Sequence, residues 1–272
     1  MSLIGSTSLG WGDASLREVF QNLAEIGAEC VELNASSRHH GGLTLDDETL
    51  PRAKAWADEA GLEIVSVSGY NDFAQTDRAA LQPEVDRLLD ACRIASGLGA
   101  PIVRAFVGDV KPGVTLENAW PAFVEGFQLA LPEAERLGVT LAAENHGRLL
   151  NDGPTLVRLV EEVGSPSLRI TIDTGNFCWA GHNLEQAKAD YAAVLPHVVS
   201  VHIKDGVWQD GGFAFVPAGD GDLPLADLFA DLATQGYDGP ICSEFEGAGD
   251  FRHATQRSIA FLKQAEDVRG RR

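Results

Sequence analysis

One phrase recurs along the chain: an amphipathic stretch, a glycine, then a short apolar run. "LAEIGAECVEL" carries it at Gly27, "ADEAGLEIVSV" at Gly61, "ASGLGAPIVRA" at Gly99, "AERLGVTLAAE" at Gly138 and "LVEEVGSPSLRITID" at Gly164. A glycine just past a helix takes the left-handed cap conformation at little steric cost, so each phrase predicts a helix, its stop and a strand. The runs are apolar on both alternations, as strands covered on two faces are. Eight fall at Leu3–Ser6, Cys30–Leu33, Glu63–Ser68, Ile102–Phe106, Thr140–Glu144, Arg169–Asp173, Val198–His202 and Pro240–Glu244. Helical patterns separate them, for example at Ser15–Ile26, Thr49–Ala60, Glu84–Ser96 and Leu225–Thr234.

Strict strand–helix alternation implies a parallel sheet. Eight units in about 250 residues fit a closed (β/α)8 barrel, the TIM-barrel form of the α/β class, better than an open doubly wound sheet. No linker-like stretch or composition break interrupts the pattern. The expectation is a single domain over residues 1–272, with an ordered core from about residue 3 to 265 and a short basic tail, "RGRR".

Composition narrows the classes. At 44% hydrophobic over 272 residues, the chain has material for a large core, which excludes disorder. No apolar run approaches the roughly 18 residues of a membrane span, and no basic-then-apolar signal opens the chain. Cys30, Cys92, Cys178 and Cys242 lie far apart without a C-x-x-C spacing, which suits free thiols and a cytoplasmic location. A formal charge of -19 repels nucleic acid and anionic membranes, whereas an acidic excess suits a site that gathers a divalent cation.

In a (β/α)8 barrel the chemistry sits at the C-terminal strand ends. The fifth strand ends in "ENHG" with Glu144 and His146, the sixth in "DTGN" with Asp173 and Asn176. The seventh brings His202 and Lys204 in "VHIKD", and the eighth Glu244 and Glu246 in "SEFEG". The steps from 144 to 173 and from 173 to 202 are both 29 residues, which places these side chains at one phase of neighbouring strands. Three carboxylates and an imidazole converging alone would repel one another and carry a large desolvation cost. One divalent cation removes that problem. The oxygen-rich set Glu144, Asp173, His202 and Glu244 suits Mn²⁺ first, with Mg²⁺ and Co²⁺ close behind and Zn²⁺ less favoured.

The words "AENHG", "TIDTGNF", "SVHIKD", "AGDGDLP" and "GYDGPICSEFEG", with "SVSGYNDFA" after the third strand, resemble the xylose isomerase-like TIM-barrel superfamily of sugar isomerases and epimerases. In its ketose 3-epimerases, Glu, Asp, His and Glu from strands five to eight hold one metal, which again implies Glu144, Asp173, His202 and Glu244. The resemblance further implies that Glu144 and Glu244 move the substrate proton. Some of these epimerases carry a substrate-binding histidine where this chain has Asn176.

Trp11, Tyr70, Arg104, His146, Asn176, Lys204 and Glu246 are the candidates for substrate contact, since aromatic faces and a few polar groups suit a sugar or polyol. Lys204 shares a strand face with His202 and either polarises a sugar oxygen or neutralises Glu246. Glu32 points into the mouth or simply ends its strand. "SSRHHGG" reads as a mobile lid, whose His39 and His40 are more often solvated than functional in such a loop. "PAGDGD" lacks the setting and the lysine of a phosphate loop. Cations at the mouth are few (Arg104, Arg148, Lys204), which favours an unphosphorylated substrate.

The leading expectation is a metal-dependent isomerase or epimerase of a ketose or related keto-polyol, working through an enediolate with two glutamates as acid and base. An inosose dehydratase-like lyase would use the same site, and a non-enzymatic sugar-binding barrel would not need paired bases. An apurinic-site endonuclease shares the barrel but calls for several more strand-end histidines and a less acidic chain. A homo-oligomer is compatible with all of these.

Overall fold

The computed structural model describes residues 1–36, 38–209 and 211–270. Eight parallel strands close into a barrel: β1 (Ile4–Thr7), β2 (Cys30–Asn34), β3 (Glu63–Ser68), β4 (Ile102–Ala105), β5 (Thr140–Glu144), β6 (Leu168–Asp173), β7 (Val198–Ile203) and, last in the chain, β10 (Ile241–Ser243). Around the ring the order is β1-β10-β7-β6-β5-β4-β3-β2. The helices are α1 (Leu16–Glu25), α2 (Leu50–Ala60), α3 (Arg78–Leu98), α4 (Leu116–Arg136), α5 (Gly153–Val163), α6 (Asn176–Trp179), α7 (Leu184–Val194), α8 (Leu225–Thr234) and α9 (Phe251–Arg269).

The recurring glycines do what their sequence setting predicts. Gly61, Gly99 and Gly164 end α2, α3 and α5 at φ of 72°, 79° and 73°. At the other ends Ser15, Thr115 and Asn183 form capping boxes, in which the cap side chain and the third helical residue each satisfy a backbone N–H of the other. One face of each helix then packs on the sheet. Phe123 and Phe127 of α4 are fully buried, and Phe127 meets Phe73 edge-to-face at 5.1 Å. At the floor of the barrel Gly5 is obligatory for space: a Cβ there would lie 2.0 Å from the Cys30 carbonyl oxygen.

One addition and one change to the expected pattern lie outside the barrel strands. Between the seventh and eighth of them, β8 (Asp205–Gln209) and β9 (Gly212–Val216) pair antiparallel as a hairpin. The basic tail is not wholly loose. Arg269 is the last residue of α9 and donates to Glu266, the Tyr237 carbonyl and Ser2; Arg271 and Arg272 lie outside the described residues.

Candidate metal centre

The site begins with strand register. Asp173 of β6 pairs with His202 of β7, whereas Glu144 of β5 pairs with Thr171, two residues earlier. His202 in turn pairs with Cys242, so Glu244 lies two residues beyond. The four side chains therefore lie on one face but not in one layer. The offset of two is the stagger that closing a sheet demands, and an even offset keeps the face. The ligand-capable atoms of Glu144, Asp173, His202 and Glu244 all lie within 4.8 Å of one another, and all four residues are buried. His202 is 0% exposed, so it sits beneath the mouth and not at its rim.

Local hydrogen bonds aim each group. Asp173 Oδ1 accepts from the backbone of Gly175 (2.9 Å) and Asn176 (3.1 Å), which leaves Oδ2 toward the cluster. Asn145, the middle of "ENHG", clamps the Asp173 backbone: its Oδ1 accepts at 2.7 Å and its Nδ2 donates at 2.9 Å. Thr174 accepts the Lys204 N–H and donates to the Lys204 carbonyl, tying the ends of β6 and β7 together. His202 Nδ1 lies 3.0 Å from Glu144 Oε1 and 3.1 Å from Glu244 Oε2. Its Nε2 lies 3.0 Å from Oε2 of Glu32, which reaches across the lumen from β2.

Charge explains why these groups tolerate burial together. Burial acts to raise the pKa of Glu32, yet the charges of His202 and Arg104 and the bonds from His202 and Ser66 bring it down to about 2. Burial raises Asp173 to about 7, with Lys204 opposing and Glu244 and Glu144 adding. Burial would lower His202 and Lys204, but the carboxylates around them hold both well above their ordinary values. Glu144 and Glu244 go down in spite of burial, through Arg104 and His202 for the first and Lys204 and His202 for the second. Within the cluster, the carboxylates of Glu32, Glu144, Asp173 and Glu244 face Arg104, Lys204 and the protonated His202. The oxygen-rich donor chemistry and the approach of one ligand-capable atom from each residue to within 4.8 Å of the others fit a divalent cation held by Glu144, Asp173, His202 and Glu244.

The remaining candidates divide. Lys204 Nζ lies 2.9 Å from Asp173, 3.0 Å from Glu246, 3.4 Å from Glu244 and 3.3 Å from Asn176 Oδ1, so it balances three carboxylates and not Glu246 alone. Asn176 keeps a buried Nδ2 without a partner. The Arg104 guanidinium lies 3.9 Å from the Phe106 ring centre and 5.2 Å from that of Tyr70, and 3.4 Å from Glu144. His146 stacks on Phe106 at 4.1 Å, 3.8 Å from Glu144 Oε2, and burial lowers its pKa against the raising charge of Glu144. Glu246, with its side chain 41% exposed, stands at the rim. Trp11 turns edge-to-face onto Phe251 at 5.3 Å. It does not line the cavity of about 410 Å³ beside the cluster, whose wall includes Thr7, His39, Glu244, Glu246 and Phe251.

The stretch read as a lid contains one histidine at the cavity wall, His39, and one that is buried. His40 is buried, with Nε2 3.0 Å from the Asn34 carbonyl and 3.3 Å from Ser8 Oγ, while Ser37 of the same stretch lies outside the described residues. In "PAGDGD", Gly219 and Gly221 donate to the Asp205 carboxylate together with Gly206 and Leu223. An internal anion thus fills the place a phosphate would take. Sequence reasoning left Glu32 open and missed Ser66 and Ser68, which donate to it at 2.5 and 2.6 Å. The available signal was an acid between Val31 and Leu33 in a strand buried on both faces, which cannot lie there without partners.

The family model described as xylose isomerase-like TIM barrel matches residues 20–265. A 2-epi-5-epi-valiolone 7-phosphate 2-epimerase of Actinoplanes sp. is 30% identical over 74% of this chain and 72% of its own. An L-ribulose-5-phosphate 3-epimerase of Shigella flexneri is 25% identical over 68% and 66%. Among solved structures, a xylose isomerase-like TIM barrel protein from Mycobacterium smegmatis, in complex with magnesium, superimposes with a TM-score of 0.80 at 18% identity over 99% of this chain and 98% of that one, a likeness of fold.

Proposed function

Because this chain belongs to the xylose isomerase-like TIM barrel family, we propose that it is a divalent-metal-dependent isomerase or epimerase of a ketose or related keto-polyol, built as a single barrel domain. The observation that carries this is the buried convergence of Glu144, Asp173, His202 and Glu244, whose ligand-capable atoms all lie within 4.8 Å of one another. A cation held there, Mn²⁺ in the first instance, would polarise a substrate carbonyl and acidify the neighbouring C–H.

The chain's own groups supply the rest. Glu144 and Glu244 reach His202 Nδ1 from two sides, so both border the space above it. Both are held ionised by neighbouring cations in spite of burial, as a base must be. One removes the proton and the other returns it, and the face of return decides the product. Arg104 and Lys204 are taken up by carboxylates, so stabilisation of the negative charge left between these steps would fall to the bound cation. The aromatic faces of Phe106 and Tyr70, and His146 with them, offer a wall for the carbon skeleton.

An unphosphorylated substrate is favoured because Arg104 and Lys204 are committed to carboxylates and the "PAGDGD" turn to Asp205. Both named relatives have phosphorylated substrates in their names, so the test spans both kinds. Ketoses, inososes and their phosphates are incubated with the Mn²⁺-loaded protein in D₂O and followed by NMR. Epimerised or isomerised product with deuterium at the carbon beside the carbonyl is expected. Product without deuterium points to a hydride shift and removes the two-glutamate mechanism. Loss of water from an inosose converts the assignment to a lyase, and binding without turnover to a sugar-binding barrel.

A further inference from the structure

The side chain that orients the metal-facing histidine comes from the opposite side of the barrel. We propose that Glu32 is a positioning residue: it holds the proton of His202 on Nε2 and so turns Nδ1, as a lone pair, toward Glu144 and Glu244. This rests on the metal centre proposed above.

Glu32 is fully buried on β2, three strands from β7 around the ring, so its contact with His202 spans the lumen. Its Oε2 lies 3.0 Å from His202 Nε2. Nδ1 on the other side of the ring is 3.0 Å from Glu144 Oε1 and 3.1 Å from Glu244 Oε2. A neutral imidazole carries one proton, and a cation can use only the nitrogen without it. With a carboxylate fixed at Nε2, the proton stays there and Nδ1 is the free donor.

Glu32 is itself fixed. Ser66 donates to Oε2 at 2.5 Å and Ser68 to Oε1 at 2.6 Å, both from β3. The competing role is charge balance for Arg104, but the Arg104 Nε contact is 3.4 Å, longer than any of the other three. The short contacts belong to the serines and the histidine. A carboxylate behind a ligating histidine sets the ring's tautomer and raises its basicity, and losing such a group typically weakens metal affinity 10- to 100-fold.

The test uses Glu32→Gln, which keeps the shape, and Glu32→Ala, with folding checked by circular dichroism. Mn²⁺ affinity is measured by competition with a chromophoric chelator in the wild-type chain, both variants and His202→Ala. Proton NMR of the Co²⁺-loaded forms reports the N–H of a coordinated histidine as a hyperfine-shifted, exchangeable signal. The wild type should bind one ion and show one slowly exchanging signal. Glu32→Gln should weaken binding about tenfold and Glu32→Ala up to about 100-fold, both with faster exchange or loss of that signal. A merely structural role would lower stability and leave the affinity and the signal of the folded variants unchanged, which overturns the inference while the metal centre stands. If Glu32→Ala does not fold, Glu32→Gln decides alone. No binding by the wild type overturns the metal centre and this inference together.

Discussion

His40 makes the fold sensitive to acid in a way that one substitution removes. It is 3% exposed and, among the described residues, the only one other than glycine with positive φ, at 58°. Burial lowers its pKa to about 4, against the hydrogen bond to the Asn34 carbonyl and with the charge of His39 adding. In the unfolded chain a histidine titrates near 6.5. Above about pH 6.5 both states are neutral, and the contribution to stability is complete. Between the two values the unfolded chain binds a proton that the native state refuses, so stability falls as pH falls. Below pH 4 nothing more is lost. The 2.5-unit gap is worth about 3.4 kcal/mol in full, of which about 2.5 kcal/mol is gone at pH 4.5. His40→Asn removes the titrating group and keeps a residue that tolerates the left-handed backbone. Lost packing and hydrogen bonding cost it about 1–2 kcal/mol at pH 7.5. Urea unfolding of the chelated protein at pH 7.5 and 4.5, followed by circular dichroism, gives the comparison. The gap between wild type and variant should close or reverse by about 2.5 kcal/mol at the lower pH. Parallel loss in the two proteins would refute the reasoning, because acid sensitivity would then lie elsewhere.

Lys204→Met leaves Asp173 and Glu244 buried without their shared cation, and should destabilise the metal-free protein by about 3–5 kcal/mol in urea. Mn²⁺ should recover a larger share of stability for this variant than for the wild type; equal recovery counts against the charge-balance argument. Titrating Mn²⁺ into stripped protein at pH 6 should release between one and two protons per chain, because His202 is held protonated and Asp173 titrates near 7. Calorimetry in buffers of different ionisation enthalpy measures the number, and zero release contradicts the assignment. Asp205→Ala strips one acceptor from four backbone N–H groups and should cost about 3 kcal/mol, with earliest hydrogen exchange in the β8–β9 hairpin; exchange spread evenly over the barrel would argue against that role.

The barrel and the acids and histidine of its candidate metal centre were legible because both are local in origin. The glycine after each helix, the capping residues and the doubly apolar runs are readable within about 20 residues of chain, and strand–helix alternation leaves little choice of topology. From there, Glu144, Asp173, His202 and Glu244 follow from counting strand ends. What the chain pattern did not carry is everything that depends on closure. The two-residue offsets at β5–β6 and β7–β10 come from the barrel's stagger, which no spacing in the sequence encodes. The β8–β9 hairpin was hidden because "GVWQDGGFAFV" is glycine-rich and pairs only with itself above the sheet. His40, taken for a solvated loop residue, is buried by contacts with Ser8 and Asn34 on neighbouring strand ends. Glu32 is the clearest case. In a strand buried on both faces, alternation does not say whether residue 32 faces the lumen or the helices, and its partner His202 lies 170 positions away. By itself the sequence determined which acids and which histidine stand at the strand ends; only the closed barrel decided that a glutamate from the far wall would reach that histidine, because the contact exists only once β2 and β7 face each other across a common interior.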